Sequence, residues 1–204
     1  MKNRQSWSRR LLAPLIRRSR GMAKDEKGAV AVEFALLAIP FFSLIFAILE
    51  TSIVFFAQQI LESALQDSTR FIRTGQSQSA WNTSEFRKAI CGRTYGLFEC
   101  SATNADTERL LIRVEPVTDF DTAVAEIGLP ISDECRDIMA APETCEWTID
   151  EAYNDGTGSD VIIAQAFYKW PIVLNLPWFN LSTQAGNNRL LSAVRVFKNE
   201  PFGG

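Results

Sequence analysis

Few residues in this 204-residue chain have the types and spacing to do chemistry. It contains no histidine, which removes His-based triads, His metal sites and the HExxH zinc motif in one step. Four cysteines, Cys91, Cys100, Cys135 and Cys145, form an even set. Two disulfides are expected, and spacings of nine and ten favour the local pairs Cys91–Cys100 and Cys135–Cys145. Four cysteines nevertheless allow three connectivities. Zinc is the rival use of these thiols, but no CxxC occurs. Gly156-Thr157-Gly158 lacks the strand, helix and acidic partner of a nucleotide fold. Asp119 and Asp121 bracket a turn without the remaining ligands of a calcium loop. Paired carboxylates can hydrolyse glycosides, yet the Asp and Glu residues here are scattered as on a solvated surface. No catalytic constellation, cofactor or metal site emerges, and the expectation is a chain that is not an enzyme and has no small-molecule substrate.

One carboxylate is out of place. Glu33 stands one turn into the most apolar stretch of the chain, Ala29 to Ala57. A charge at the centre of a membrane helix costs about 2.5–3.5 kcal/mol even on the lenient insertion scale. The cost is smaller near the headgroups, so an interfacial glutamate reaching water is the bland alternative, but the surrounding pattern argues for more. Phe34 to Leu49 is free of charge, and after Glu50 the apolar run resumes as TSIVFFA. At ~1.5 Å per residue, Val30 to Ala57 would extend ~42 Å as a helix, enough for a bilayer with its headgroups. A buried helix of a soluble protein would need a second all-apolar helix around it, and none occurs. Residues 29–57 therefore read as a transmembrane helix. Pro40 lies inside it and removes one helix hydrogen bond, which predicts a kink. Glu50 lies ~26 Å along the axis from Glu33. It reads as a solvated interfacial carboxylate or a contact to a partner helix.

The charge changes sign at this segment. Residues 1–28 carry nine Lys/Arg against two Asp/Glu, a net of +7, whereas residues 29–204 carry a net of −10. The positive-inside rule keeps the N-terminus cytoplasmic and exports everything beyond about residue 58. Within the basic part, Trp7 to Arg18 is suited to an anionic leaflet, with arginines on phosphates and apolar side chains at the interface. Its place against a span favours lipid over nucleic acid. A removable secretory signal peptide is disfavoured by the long basic region and by the lack of a small-x-small site. Ser8-Arg9-Arg10-Leu11-Leu12 is a poor twin-arginine signal because the apolar region lies too far downstream.

The string Gly28-Ala29-Val30-Ala31-Val32-Glu33-Phe34 resembles the processing site of type IV prepilins, in the Gly-x4-Glu-aromatic form of the Tad (Flp) pilus system. GAVAVEFALLAIPFFSLIFAILE followed by the polar helix ESALQDSTRFIRTGQ is similar to the TadE pseudopilins, and SAVRVFKNEPF is a family-like tail. The close resemblance covers about Lys27 to Gln76 and Ser192 to Phe202. It implies a membrane aspartic peptidase that cuts after Gly28, where a missing side chain lets the backbone enter a cleft. It also implies a mature chain starting at Ala29, on the helical face of Glu33. There Glu33 would neutralise the new amine in its own chain or a neighbour and set axial register. The implied partners are the prepilin peptidase, pilin or sister TadE/TadF/TadG-type pseudopilins, and the inner-membrane Tad platform, with the bilayer itself. Helix-contact candidates are Glu33, Pro40 and Glu50. The rival from another class is a membrane-anchored periplasmic enzyme or sensor that keeps its N-terminus.

Beyond the span, Ile60, Leu61, Ala64, Leu65, Thr69 and Ile72 keep helical spacing and predict an amphipathic stalk over 58–74, stopping before Gly75. Ser84 is expected to cap a short helix over Glu85–Ile90. Period-two patterns predict strands at Arg109–Glu115, Cys145–Asp150, Val161–Trp170 and Arg189–Lys198. Asn154 to Gly158 reads as a hairpin loop, and Thr122–Ile127 as a helical turn. Trp147, Phe167, Tyr168, Trp170, Trp178 and Phe179 read mainly as core, with a binding surface as the alternative. The expected fold is α+β. A basic leader (1–28), a membrane helix (29–57) and a stalk (58–74) precede a periplasmic domain (75–204). That domain holds an antiparallel sheet of about four strands and disulfide-clipped loops, the disulfides suiting an oxidising compartment.

Overall fold

A computed structural model describes residues 26–78, 80–100, 109–125, 127–139, 141 and 145–202. The leader reading, including Trp7 to Arg18, lies outside the described residues up to residue 25. The chain divides into two compact units, residues 1–48 and 49–204.

Helix α1 runs Glu26–Arg73, merging the expected span and stalk in one element. It contains an 18-residue window of mean hydropathy 2.4 and is long and apolar enough to cross a membrane. In the first unit its large apolar side chains are exposed: Phe34 is 70% accessible, Leu44 62% and Ile39 63%. The assignment continues unbroken through Pro40. Three residues on, the Ser43 hydroxyl donates to the Ile39 carbonyl at 2.7 Å.

In the second unit the same helix becomes one-sided. Ala57, Leu61, Leu65, Ser68 and Ile72 are buried at spacings of three and four, with Ala64 beside Leu65, the signature of a face against a core. Each fully buried leucine or isoleucine is worth about 1.5–3 kcal/mol. Gly75 ends the helix with φ +72°, its N–H donating to Ile72 and that of Gln76 to Phe71. A Cβ at this position would meet the Phe202 ring at 2.7 Å, so the residue must be glycine for packing as well as for φ.

Helix α2 spans Thr83–Cys91 and contributes Phe86 and Ile90 to the core. Its cap is Asn82 rather than Ser84, because the Asn82 Oδ1 reaches both the Ser84 and Glu85 N–H groups. Strand β1 is Leu110–Val117, followed by the short helix α3, Phe120–Ala125, where a helical turn is expected. Then come β2 Ala152–Tyr153, β3 Val161–Pro171, the small β4 Asn175–Leu176 and β5 Phe179–Asn180, and β6 Asn188–Lys198.

The main sheet has the order β2-β1-β3-β6. It is mixed, not antiparallel: β1 pairs antiparallel with β3, and β3 with β6, but β2 runs parallel to β1 (Arg113↔Ala152). The 154–158 loop therefore joins strands that are not neighbours and is no hairpin. Its backbone is instead held from outside the sheet, the Asn199 amide donating to the Asp155 and Thr157 carbonyls. The strand expected at Cys145–Asp150 reduces to one isolated bridge, Ile131↔Trp147. The Lys169 ammonium takes the Cys145 carbonyl at 2.6 Å and lies 4.2 Å from the Trp147 ring centroid. That segment accordingly meets β3 through side chains rather than a ladder.

One sheet face, with Ile112, Val114, Ala164, Ala166, Tyr168, Leu191 and Ala193, shares a core with α1 and α2. Residues of the opposite face, Leu111, Ile163 and Phe167, are buried too. β3 is buried on both faces from Val161 to Lys169, Gln165 and Lys169 included. Both disulfides are the local ones, Cys91–Cys100 and Cys135–Cys145, with Cα separations of 5.5 and 4.4 Å.

Candidate interaction site

Residues at the start of α1 carry the motif. Gly28 lies inside α1, whose first residue is Glu26. A peptidase that acts here must unwind the first turn to obtain an extended backbone. Ala29 and Glu33 stand four residues apart, one above the other on the helix, and both are exposed. Phe34 and Pro40 are exposed as well, so these positions present side chains outward from the helix.

Glu50 has a partner that the sequence reading missed. Its carboxylate accepts the backbone N–H of Val173 at 2.5 Å and that of Leu174 at 3.1 Å. Its carboxylate is thus hydrogen-bonded within its own chain. The signal is absent from local sequence because the partners are more than 120 residues away. Further along, the Gln58 amide donates to the Ser192 carbonyl at 2.7 Å, and Arg195 lies 3.9 Å from Glu62.

The aromatic set divides. Phe167 and Tyr168 are buried, and Phe98 stacks edge-on against Tyr168 at 4.6 Å. Trp170 packs against the core, Trp147 lies at the Lys169 ammonium and Phe179 is half-buried. Trp178 is 69% exposed, which departs from a core role.

Among the described residues Arg87 is the most deeply buried charged side chain, ahead of Lys169. Arg87, 1% accessible, donates through both terminal nitrogens to the Leu110 carbonyl at 3.2 Å and pairs with Glu151. Glu151 also accepts from the Ile112 N–H at 3.2 Å. Burial raises the Glu151 carboxyl above its ordinary range, against the lowering pull of Arg87. Burial likewise pushes the Tyr153 phenol up to about 12. Thr122 and Thr157 hold the Asp119 and Asp160 carboxyls low by donating hydrogen bonds to them. Clefts are lined by Asp67, Arg70, Phe71, Gln76 and Arg93, and by Arg113, Leu129, Pro130, Ile163 and Gln165 among others. Neither sets two carboxylates side by side.

α1 holds the Gly28–Phe34 motif, and most of its length matches a family model. Residues 28–70 match the family model of TadE-like proteins. Over this stretch the chain is similar to that family. The match opens on Gly28 and closes three residues before α1 ends at Arg73. The TadE-like stretch thus takes in the Gly28–Phe34 motif, Pro40, Glu50 and the buried face from Ala57 to Leu65. No curated protein and no solved structure matches the chain.

Proposed function

We propose that this protein is a pseudopilin-like component in the assembly of a Tad/Flp type IVb pilus or a related secretion apparatus, with a structural rather than catalytic role. The observation that carries this reading is the TadE-like match, which starts at Gly28 and follows a helix apolar enough to cross a membrane. The placement that follows is a single pass through a bacterial inner membrane, with the N-terminus cytoplasmic. The +7 charge of residues 1–28 supports that orientation, and two disulfides support an oxidising, periplasmic location for the rest.

In this reading the prepilin peptidase cuts the Gly28–Ala29 peptide bond after opening the first turn of α1. The new ammonium at Ala29 lies one turn from Glu33, and the pair cancels charge that the apolar surroundings would otherwise penalise. α1 then packs laterally with pilin or sister pseudopilins, while the periplasmic unit faces the inner-membrane platform. Intact mass and N-terminal sequencing of the protein from its native membrane should give a chain that begins at Ala29. A bulky substitution at Gly28 should abolish the shortened form. A mature chain that begins at Met1 would overturn the processing step. Glu33→Ala should be cut normally yet co-purify less with its pseudopilin partners; co-purification at the wild-type level would remove the register role.

A further inference from the structure

The β3–β6 connection, residues 172–187, has no role in the reading above. Its position follows from how β6 lies along α1. Gln58 meets Ser192, Glu62 meets Arg195 and Arg73 meets Glu200, so rising numbers on α1 accompany rising numbers on β6. The start of β6, and the connection before it, must then lie toward the lower-numbered end of α1 within this unit. Glu50 fixes the connection there by accepting the N–H groups of Val173 and Leu174.

The connection displays uncharged side chains, with Val173, Pro177 and Trp178 exposed beside Asn175 and Asn180. β4 and β5 form a two-residue ladder, Asn175↔Asn180 and Leu176↔Phe179, with Pro177-Trp178 at its turn. So small a ladder has no area of its own in which to bury a tryptophan. Trp178 is 69% and Val173 84% exposed. Ile53, Phe55 and Phe56, just beyond Glu50 on α1, are exposed as well. From Ile172 to Ser182 there is no Asp, Glu, Lys or Arg, although the chain beyond residue 28 has a net charge of −10. Glu50 lies ~32 Å along α1 from Ala29, about one hydrocarbon thickness.

We propose that the 172–182 segment is an interfacial membrane anchor. Trp178 and Val173 enter the headgroup–acyl boundary of the periplasmic leaflet, and Glu50 is the strut that holds the segment at that depth. Tryptophan suits this position because its ring is apolar while its N–H still finds a partner among headgroups. Two polar contacts lie within the segment: Asn180 donates to the Asn175 side chain at 3.2 Å and accepts the Ser182 N–H at 2.8 Å. A lipid surface fits better than a protein partner. The segment offers no charge for recognition. The inference rests on α1 spanning the bilayer.

The test uses the full-length protein and its Trp178→Phe variant, reconstituted in phosphatidylethanolamine/phosphatidylglycerol vesicles with bromines at shallow or deep acyl positions. Subtracting the variant's emission isolates Trp178 from the other four tryptophans. Alkaline-resistant flotation of the same vesicles reports whether α1 is integrated. The expected result is integrated protein whose Trp178 emission falls roughly twofold with shallow bromines and less with deep ones. Integrated protein with Trp178 emission indifferent to bromine overturns the anchor and leaves the span intact. Protein that is not integrated overturns both. Emission that ignores bromine but shifts to the blue when a sister pseudopilin is co-reconstituted assigns the segment to a protein partner, and the lipid proposal fails.

Discussion

The two halves of α1 treat their apolar residues in opposite ways. Up to Ile48 large apolar side chains are exposed all round the helix, as at Leu37, Phe41 and Leu44. From Val54 onward one face is buried, with Ala57, Leu61, Leu65 and Ile72 at 6% accessibility or less together with Val54, while Gln59, Ser63 and Gln66 stay exposed. The first pattern suits a solvent that is itself apolar, and the second suits a helix with water on one side and a core on the other. Periodicity therefore records the surroundings of each half, even though the backbone is one continuous element.

The largest effect that tests this contrast is a charge placed in each half. Leu65→Asp puts a carboxylate with no partner into a fully buried position. Its cost, several kcal/mol, is comparable to the whole stability of a small domain. The expected outcome is loss of the cooperative melting transition and ready reduction of Cys91–Cys100. Leu44→Asp should leave that melting transition unchanged while reducing membrane integration, at a cost of about 2.5–3.5 kcal/mol. Equal loss of melting temperature at both positions would erase the distinction between the halves.

Legibility in the sequence followed the range of each interaction. The apolar segment, the stop at Gly75, both disulfides and the long strands β1, β3 and β6 depend on neighbours a few residues apart, and local patterns reveal them. The parallel β1–β2 pair does not, since Ala152–Tyr153 is too short to show a period and its register comes from a strand some 40 residues earlier. Residues 145–150 alternate like a strand, but the Lys169 ammonium occupies a carbonyl that a ladder would need. Asn82 does not stand out as the cap in the sequence because Asn82, Thr83 and Ser84 are all chemically competent, and only geometry selects among them. At the proposed site, the Gly28–Phe34 motif was visible at once. The Glu50–Leu174 contact and the exposure of Trp178 depend on tertiary placement and were not.

The halves also differ in how they carry charge, and Arg87 sharpens that difference with a somewhat smaller effect. In the first half Glu33 is exposed among apolar residues; in the second unit the buried Arg87 pairs with a half-buried Glu151. Arg87→Met strands Glu151 and should cost about 3–5 kcal/mol. Glu151→Gln keeps an acceptor for Arg87 and the Ile112 N–H, and should cost less, about 1–3 kcal/mol. The sign of the pH dependence follows from the raised Glu151 carboxyl. Between its ordinary value of 4.5 and the raised folded value, the native state binds more protons than the unfolded state. Through this group, stability is then greatest at low pH and declines as pH rises across that window. Arg87→Met removes the lowering pull and should steepen the decline, whereas Glu151→Gln should flatten it. Melting temperature against pH for the three proteins decides the point, and an unchanged slope in Glu151→Gln would assign the dependence to another group.

The smallest effect locates the boundary between the halves. Glu50 stands only two residues past the division at Ile48, yet it is hydrogen-bonded to the 172–187 connection. Glu50→Ala frees two backbone N–H groups near the surface, where water replaces part of what is lost, so the penalty should be local and about 1–2 kcal/mol. Amide exchange should accelerate at Val173 and Leu174 and stay unchanged across β1 and β3, while Glu50→Gln, which keeps an acceptor, should lie between the two. Confined acceleration makes Glu50 a peripheral strut and puts the start of the cooperative core at Val54. Acceleration throughout the sheet would move that start back to Glu50 itself, making the carboxylate part of the global fold rather than its edge.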